Sequence, residues 1–260
     1  MLKSKGVLLL YSENESLDYK RLAKLSARLA EYYLKVPVTI VKLDAVKKNL
    51  RTFRYSDGVE TIEWNNIGRY NAYDLSPYDE TLLIDTDYFI QNNNLGNYFE
   101  TTHNFLCHNT SWDISGNDVF RHDRFLDNGG NRFEMRWATV IYFQKGNSAK
   151  QIFDTWHKVY NNYEYYSKLI GFKSTPFRND FALSIAHQLC NGYANNNTFT
   201  NSLPALSTTD SVIDYKNNNW LIKYKLKQTY NVLRYKGDLH LMNKKCILET
   251  DLYDKLWNSV

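Results

Sequence analysis

Four prolines, eleven glycines and three cysteines are few for a chain of 260 residues, and each scarcity excludes something. So little proline and glycine argues against a low-complexity or collagen-like chain. Cys107, Cys190 and Cys246 are odd in number and far apart, which fits neither a disulfide framework nor a zinc cluster. Free thiols suit a reducing compartment, so a cytoplasmic setting is expected. No apolar run approaches the roughly eighteen residues that a membrane span requires. Val7 to Tyr11 is too brief for a signal h-region and runs at once into Ser12-Glu13-Asn14-Glu15, so a soluble protein is expected. A strong charge of one sign is missing as well. The net charge of +4 would assist a polyanionic partner but falls short of a dedicated nucleic-acid binder.

What is present describes a folded globule, with 43% hydrophobic and 15% aromatic residues. The length suits one catalytic unit spanning 1–260, with a donor-binding half at about 1–110 and an acceptor side with a basic C-terminal segment at about 111–260. Gly6 to Tyr11 reads as an apolar strand. Leu17, Leu22, Leu25, Leu29 and Tyr32 or Tyr33 then recur at helical spacing up to the strand-like Val36 to Val41, a β-α-β opening. Ser16 gives an incomplete capping signal, and Glu15 and Asp18 support the helix start better. A polar passage leads to a short helix within Asn66 to Leu75, broken by Ser76-Pro77-Tyr78-Asp79. Further strands are expected at Asn104 to Cys107 and Trp137 to Phe143, and helices at Ser148 to Tyr166 and Phe177 to Leu189. Between those strands, Ser111 to Arg136 is long for a plain connection and reads as a functional loop or lid with Gly129-Gly130 as its flexible point. In the last third, Ile222, Tyr224 and Leu226 alternate with Lys223, Lys225 and Lys227, the pattern of a strand with one wet face. The fold class that follows is α/β, with a mixed, mostly parallel central sheet flanked by helices and a C-terminal β-containing segment.

The chemistry is expected where Thr81-Leu82-Leu83-Ile84 meets Asp85-Thr86-Asp87. A uniformly apolar run is the mark of a strand covered on both faces, and open α/β sheets place their ligands at the carboxyl ends of such strands. Two carboxylates one residue apart suit a hard divalent ion that meets substrate phosphates, Mn²⁺ or, with less ease, Mg²⁺. The same tripeptide also closes turns and caps helices. Its position after the strand favours the metal-binding alternative.

The span from Arg69-Tyr70-Asn71-Ala72-Tyr73 through Tyr78 to Asp87 resembles the corresponding segment of GT-A fold glycosyltransferases, particularly the glycogenin-like and galactosyltransferase-like group. Phe177-Arg178-Asn179-Asp180-Phe181-Ala182-Leu183 is similar to that group's acidic helix start, and Gly237 to Lys244 to its late histidine segment. The resemblance implies a metal-dependent transferase that takes a nucleotide diphosphate sugar, a UDP-sugar, as donor. It implies donor contacts by Arg69, Asp85, Asp87 and Lys244, metal ligation by Asp85, Asp87 and His240, and a role for Asp180 in orienting the donor sugar or acceptor. Tyr11 and Ser12 fall where a uracil ring would stack and hydrogen-bond. Each has a plainer alternative: a core or turn role for Tyr11 and Ser12, a strand histidine for His240, a favourable first-turn acid for Asp180, an exposed helix residue for Arg69 and a solvated pair for Lys244-Lys245. Where the group often has Asn-Ala-Gly or Asn-Ser-Gly opening the later strand, this chain has Trp137-Ala138-Thr139.

Between Lys216 and Lys245, eight Lys or Arg residues face a single acid, Asp238, and are interleaved with Trp220, Tyr224, Tyr230 and Tyr235. Such a mixture suits nucleic-acid phosphates, or a charged edge protected from aggregation. The richness in Asn, Lys and Tyr, as AT-rich coding produces, hints at a viral or AT-rich bacterial source. Together these raise a hydroxymethylated base in phage duplex DNA as the hydroxyl acceptor, beside a glycan or a protein. Rival readings are a nucleotidyltransferase and a non-catalytic nucleic-acid-binding protein. A phosphatase of the haloacid dehalogenase type carries a similar motif on its first strand, whereas here the motif lies deep in the chain.

Overall fold

The structure is a computed structural model that describes residues 3–13, 17–44, 49–55, 58–64, 68–116, 125–128, 131–169, 177–192, 197–226 and 228–260. Strand β1 (Lys5–Tyr11), helix α1 (Tyr19–Leu34) and strand β2 (Val38–Lys42) open the chain, followed by a hairpin of β3 (Asn49–Tyr55) and β4 (Gly58–Trp64). A single 3-10 turn, Arg69–Asn71, and the short α2 (Ala72–Leu75) precede β5 (Glu80–Ile84). Next come β6 (Tyr88–Phe89), β7 (Phe105–His108), β8 (Ser111–Trp112), the hairpin β9 (Phe125–Asn128) and β10 (Asn131–Glu134), and the long β11 (Trp137–Gln144). Helices α3 (Asn147–Asn161), α4 (Tyr163–Leu169) and α5 (Asn179–Asn191) follow. The chain then forms β12 (Leu203–Leu206), β13 (Ser211–Lys216), β14 (Asn219–Leu226), β15 (Thr229–Tyr235), β16 (Leu239–Leu241), α6 (Lys245–Leu248) and α7 (Leu252–Trp257).

The central sheet has the order β2-β1-β5-β11-β7. β1 pairs in parallel with β2 and β5, while β11 runs antiparallel to both β5 and β7, so β11 alone opposes the other strands. This is the mixed, mostly parallel sheet expected. Every residue of β5 is buried, because both faces are covered. Leu8, Leu10, Leu83, Ile141 and Phe143 pack with Phe153 and Trp156 of α3 and Phe181 and Ile185 of α5. The alternate residues Val7, Leu9, Leu82, Ile84 and Val140 pack with Ala27, Ala30 and Leu34 of α1. A second stripe on α1, Leu22, Leu25 and Leu29, joins Phe89, Trp220, Ile222, Leu241 and Leu256, so α1 lies between the sheet and the C-terminal segment. Asp18 caps α1, its side chain accepting from the Arg21 amide at 2.8 Å. Gly6 is required by a close approach: a Cβ there would lie 2.3 Å from the Tyr78 ring.

Several expectations are corrected in detail. Ser111 to Arg136, expected as a functional loop or lid, contributes β8 and the β9–β10 hairpin; Gly129 and Gly130 lie outside the described residues, as do Glu15, Ser16 and Lys227. The polar passage before Asn66 holds the β3–β4 hairpin. The long helix expected from Ser148 to Tyr166 breaks at Asn162, whose side-chain amide donates to the Lys158 carbonyl at 3.0 Å and so competes with the helical ladder. β13, β14 and β15 form a separate antiparallel sheet, and β6-β16-β12-β8 form another. Among the described residues, no helix is long and apolar enough to cross a membrane.

His108, at the end of β7, gives the fold a pH dependence. Only 1% exposed, it bonds the Asn201 carbonyl through Nδ1 at 2.8 Å, and its Nε2 has no partner among the described residues. Burial lowers its pKa to about 4 despite that bond. The folded protein therefore resists protonating it, and stability present above the ordinary value near 6.5 is lost as pH falls through about 4. A tenfold change in proton affinity is worth about 1.4 kcal/mol, so about 3 kcal/mol is at stake. Urea denaturation at pH 7 and pH 4 is expected to show this loss, and His108→Gln to remove it; an unchanged pH profile in the variant would assign the loss elsewhere.

Candidate active site

The acidic tripeptide forms a turn at the carboxyl end of β5. The Asp85 amide donates to the Thr139 carbonyl at 2.9 Å, carrying the β5–β11 pairing one residue further, and the Tyr88 amide returns to the Asp85 carbonyl at 3.1 Å. Ser26 of α1 donates to the Tyr88 carbonyl, and the Leu241 amide to the Asp87 carbonyl. The turn is thus fixed from three sides before any side chain is considered. The antiparallel pairing of β6 with β16 sets His240 opposite Tyr88, which delivers an imidazole from far downstream in the chain onto the turn.

The side chains converge. Asp87 lies between His240, Nε2 to Oδ1 at 3.4 Å, and Lys244, Nζ to Oδ2 at 2.7 Å. Arg69, 1% exposed, donates to Asp85 Oδ1 at 2.5 Å and to the carbonyls of Ala138 and Thr139. The two acids therefore have different environments. Burial alone would raise the Asp87 carboxyl, but Lys244 and His240 outweigh it and hold Asp87 below its ordinary value. At Asp85 burial wins over Arg69, and neighbouring Asp87 adds to it, so this carboxyl is raised. His240 is raised because Asp87, helped by Asp85, overcomes the burial that would lower it.

Ligand atoms of Asp85, Asp87 and His240 all lie within 4.8 Å of one another. His240 Nδ1 is buried without a hydrogen-bond partner among the described residues. Two carboxylate oxygens and an imidazole nitrogen make a borderline-hard donor set that suits Mn²⁺, and Mg²⁺ less well. The residues present therefore fit a divalent ion.

Asp180, in the first turn of α5, joins this end of the sheet through the backbone of one residue: its Oδ1 accepts from the Ala138 amide at 2.9 Å, while the Ala138 carbonyl accepts from Arg69. Arg178 holds Oδ2 at 3.3 Å. The Trp137-Ala138-Thr139 segment thus serves as a backbone bridge between the acidic turn and Asp180. On the neighbouring strand, where Leu9 pairs with Ile84, Tyr11 ends β1 and Ser12 follows it, so both lie toward the carboxyl end of the sheet that Asp85 shares. Tyr19, the first residue of α1, is a neighbour that the sequence pattern does not single out; the Lys244 Nζ lies 6.0 Å from its ring centre, and burial raises its phenol. The nearby signal is the Asp18 cap, which places Tyr19 at a helix start.

No family model and no curated protein matches the sequence. Among solved structures, the chain is similar to the galactosyltransferase LgtC in complex with donor and acceptor sugar analogues, with 12% identity over 98% of this chain and 96% of that one and a TM-score of 0.48. It is also similar to the glycosyltransferase GlyE of Streptococcus pneumoniae TIGR4, with 10% identity and a TM-score of 0.40, covering 76% of this chain but only 46% of that one. A third likeness is to a glycosyltransferase involved in glycosylation of the major capsid of PBCV-1, with 10% identity, 78% and 81% coverage and a TM-score of 0.36. At likenesses this distant, the chemistry assigned to this chain rests on its own residues.

Proposed function

We propose that this chain, acting as one domain over 1–260, transfers a sugar from a nucleotide diphosphate sugar, a UDP-sugar, to a hydroxyl acceptor in a reducing, cytoplasmic setting. The observation that carries this is the meeting of Asp85, Asp87 and His240 beside Lys244 at the carboxyl end of β5. Asp85, Asp87 and His240 would hold Mn²⁺ or Mg²⁺, which when bound neutralises charge growing on the leaving diphosphate as a Lewis acid. Lys244 adds a cation on the same side. Arg69 holds the Asp85 carboxylate in place and lies on the donor side of the turn. Tyr11 and Ser12 are assigned to the nucleotide base at the end of β1. Asp180, with both oxygens fixed by Ala138 and Arg178, is assigned to orienting the donor sugar or the acceptor hydroxyl as it attacks the anomeric carbon.

The acceptor is a hydroxyl of a hydroxymethylated base in phage DNA on this reading, with a glycan or protein hydroxyl as its alternative. A nucleotidyltransferase is less well supported, because Tyr11-Ser12-Glu13 offers no glycine-rich basic loop for a triphosphate. Incubation with Mn²⁺ and a panel of nucleotide sugars is expected to release nucleoside diphosphate, and chelation to stop the release. Turnover with none of the donors would overturn the transfer reading in favour of a binding protein.

A further inference from the structure

The β13–β15 sheet carries a charge pattern that the site at β5 does not use. Side chains on its buried face, Val212, Tyr215, Trp220 and Ile222, pack into the core shared with α1. The cross-strand register fixes what the other face presents. Ser211 pairs with Lys223 and Lys223 with Val232; Asp214 pairs with Leu221 and Leu221 with Arg234; Lys225 pairs with Tyr230, and Lys216 with Asn219. Lys216, Lys223, Lys225 and Arg234 therefore share one outward face, all exposed, with Lys236 exposed just beyond β15.

Some exposed lysines elsewhere on this protein are paired, Lys150 with Asp154, Lys168 with Glu164 and Lys42 with Glu13, while others such as Lys24 and Lys158 have no carboxylate partner among the described residues; what sets this face apart is that its cations are gathered on one sheet. Among the described residues, none of these five cations has a carboxylate within ion-pair distance. The acid on the same face, Asp214, pairs with Lys255 at 2.8 Å, an ammonium that Asp251 shares at 3.1 Å, so one carboxylate stands on the face against five cations. The face is a patch of uncompensated positive charge laid out on a rigid lattice, with side chains about 7 Å apart along a strand and strands about 5 Å apart. An edge protected from aggregation needs one or two such charges, not a field of one sign. Three residues separate the end of β15 from β16, the strand that carries His240 to the acidic turn, so the sheet and the candidate active site are joined by a short connection.

We propose that this face docks duplex DNA through its phosphates. A duplex is favoured over a single strand by the one aromatic ring on the face. Tyr230 is covered by the Lys223 ammonium at 4.5 Å, and no stacking platform for unpaired bases is left among the described residues of the face. Phosphates, by contrast, need only cations in register. Docking itself is independent of sugar transfer; its use in bringing an acceptor hydroxyl to the turn rests on the transfer reading.

The test measures binding of a labelled duplex of about 20 base pairs across a salt series, in the wild type and in a Lys223→Gln, Lys225→Gln, Arg234→Gln triple variant. Each phosphate contact contributes a slope of roughly −0.9 in log K against log salt, so five contacts put the wild type at about −4.5 and the variant, with three removed, flatter by about 2.7. At moderate salt the variant is expected to bind at least about tenfold more weakly, with an unchanged melting temperature and unchanged donor turnover without acceptor. Equal binding by both proteins, binding insensitive to salt, or binding to phosphatidylserine vesicles but not to the duplex would overturn the docking. Donor turnover without duplex binding removes the docking and leaves transfer standing. Duplex binding lost in the variant, together with no donor turnover in the wild type, leaves the docking standing and removes transfer.

Discussion

Asp87→Asn is expected to lower metal-dependent release of nucleoside diphosphate by about 100-fold or more, the range seen when one preorganised electrostatic group is removed from an active site. The substitution keeps the shape of the side chain and the Leu241–Asp87 backbone bond, so the turn itself should persist. It removes one charge that two groups depend on. Lys244, its side chain 12% exposed, loses the carboxylate 2.7 Å from its ammonium, and His240 loses the acid that raises it. An ammonium left unpaired in so closed a place costs about 3 kcal/mol or more, so the variant should also melt lower. The two effects are separable. Adding Lys244→Met removes the stranded charge and is expected to restore much of the stability, while turnover and Mn²⁺ affinity, measured by titration calorimetry, stay low. A double variant that regained both stability and turnover would make the Asp87–Lys244 pair a structural ion pair and nothing more.

The parts of this arrangement that are legible in the sequence share a physical basis. Val7 to Leu10 of β1 and Leu82 to Ile84 of β5 are unbroken apolar runs because the strands are covered on both faces, and that pattern alone places Asp85 at a strand end. Alternation of Lys223 and Lys225 with Ile222 and Tyr224 shows which side of β14 is wet. What stays hidden depends on long-range pairing. No local pattern says that β16 will lie antiparallel to β6, which is what brings His240 to Asp87; the resemblance to a family suggests it, and the register supplies the reason. The bridge through Ala138 to Asp180 is made by a backbone amide and carbonyl, which have no signature in a side-chain sequence. The β3–β4 hairpin is hidden by the polar character of the passage, which carries no apolar run to mark either strand. Arg69 is the instructive case: helical spacing gives it an exposed position as the plain alternative, yet its guanidinium is buried against the sheet end.

That burial makes Arg69→Ala the substitution expected to damage the fold most. Its guanidinium holds the end of β5 through Asp85 and the start of β11 through the Ala138 and Thr139 carbonyls, in the region where β11 is irregular between Trp137 and Ile141. Truncation takes the guanidinium donor from the Ala138 carbonyl, leaves the Thr139 carbonyl with the Asp85 amide, and strands the Asp85 carboxylate in a site where burial already raises it. A buried charge deprived of its partner costs about 3–5 kcal/mol, and lost bonds to a charged donor add to that. Urea denaturation at pH 7 should register the loss. The deficit should shrink as pH falls, because Asp85 in the variant escapes its unpaired state by taking up a proton, and its raised carboxyl does so at a higher pH than in the wild type. Arg69→Lys keeps the charge without the planar fork that serves three acceptors, so an intermediate loss is expected with a weaker pH dependence. A deficit under about 1 kcal/mol for Arg69→Ala, or one independent of pH, would mean that Asp85 does not rely on Arg69 for its charge; its fitness to hold a divalent ion would then have to come from Asp87 and His240 alone.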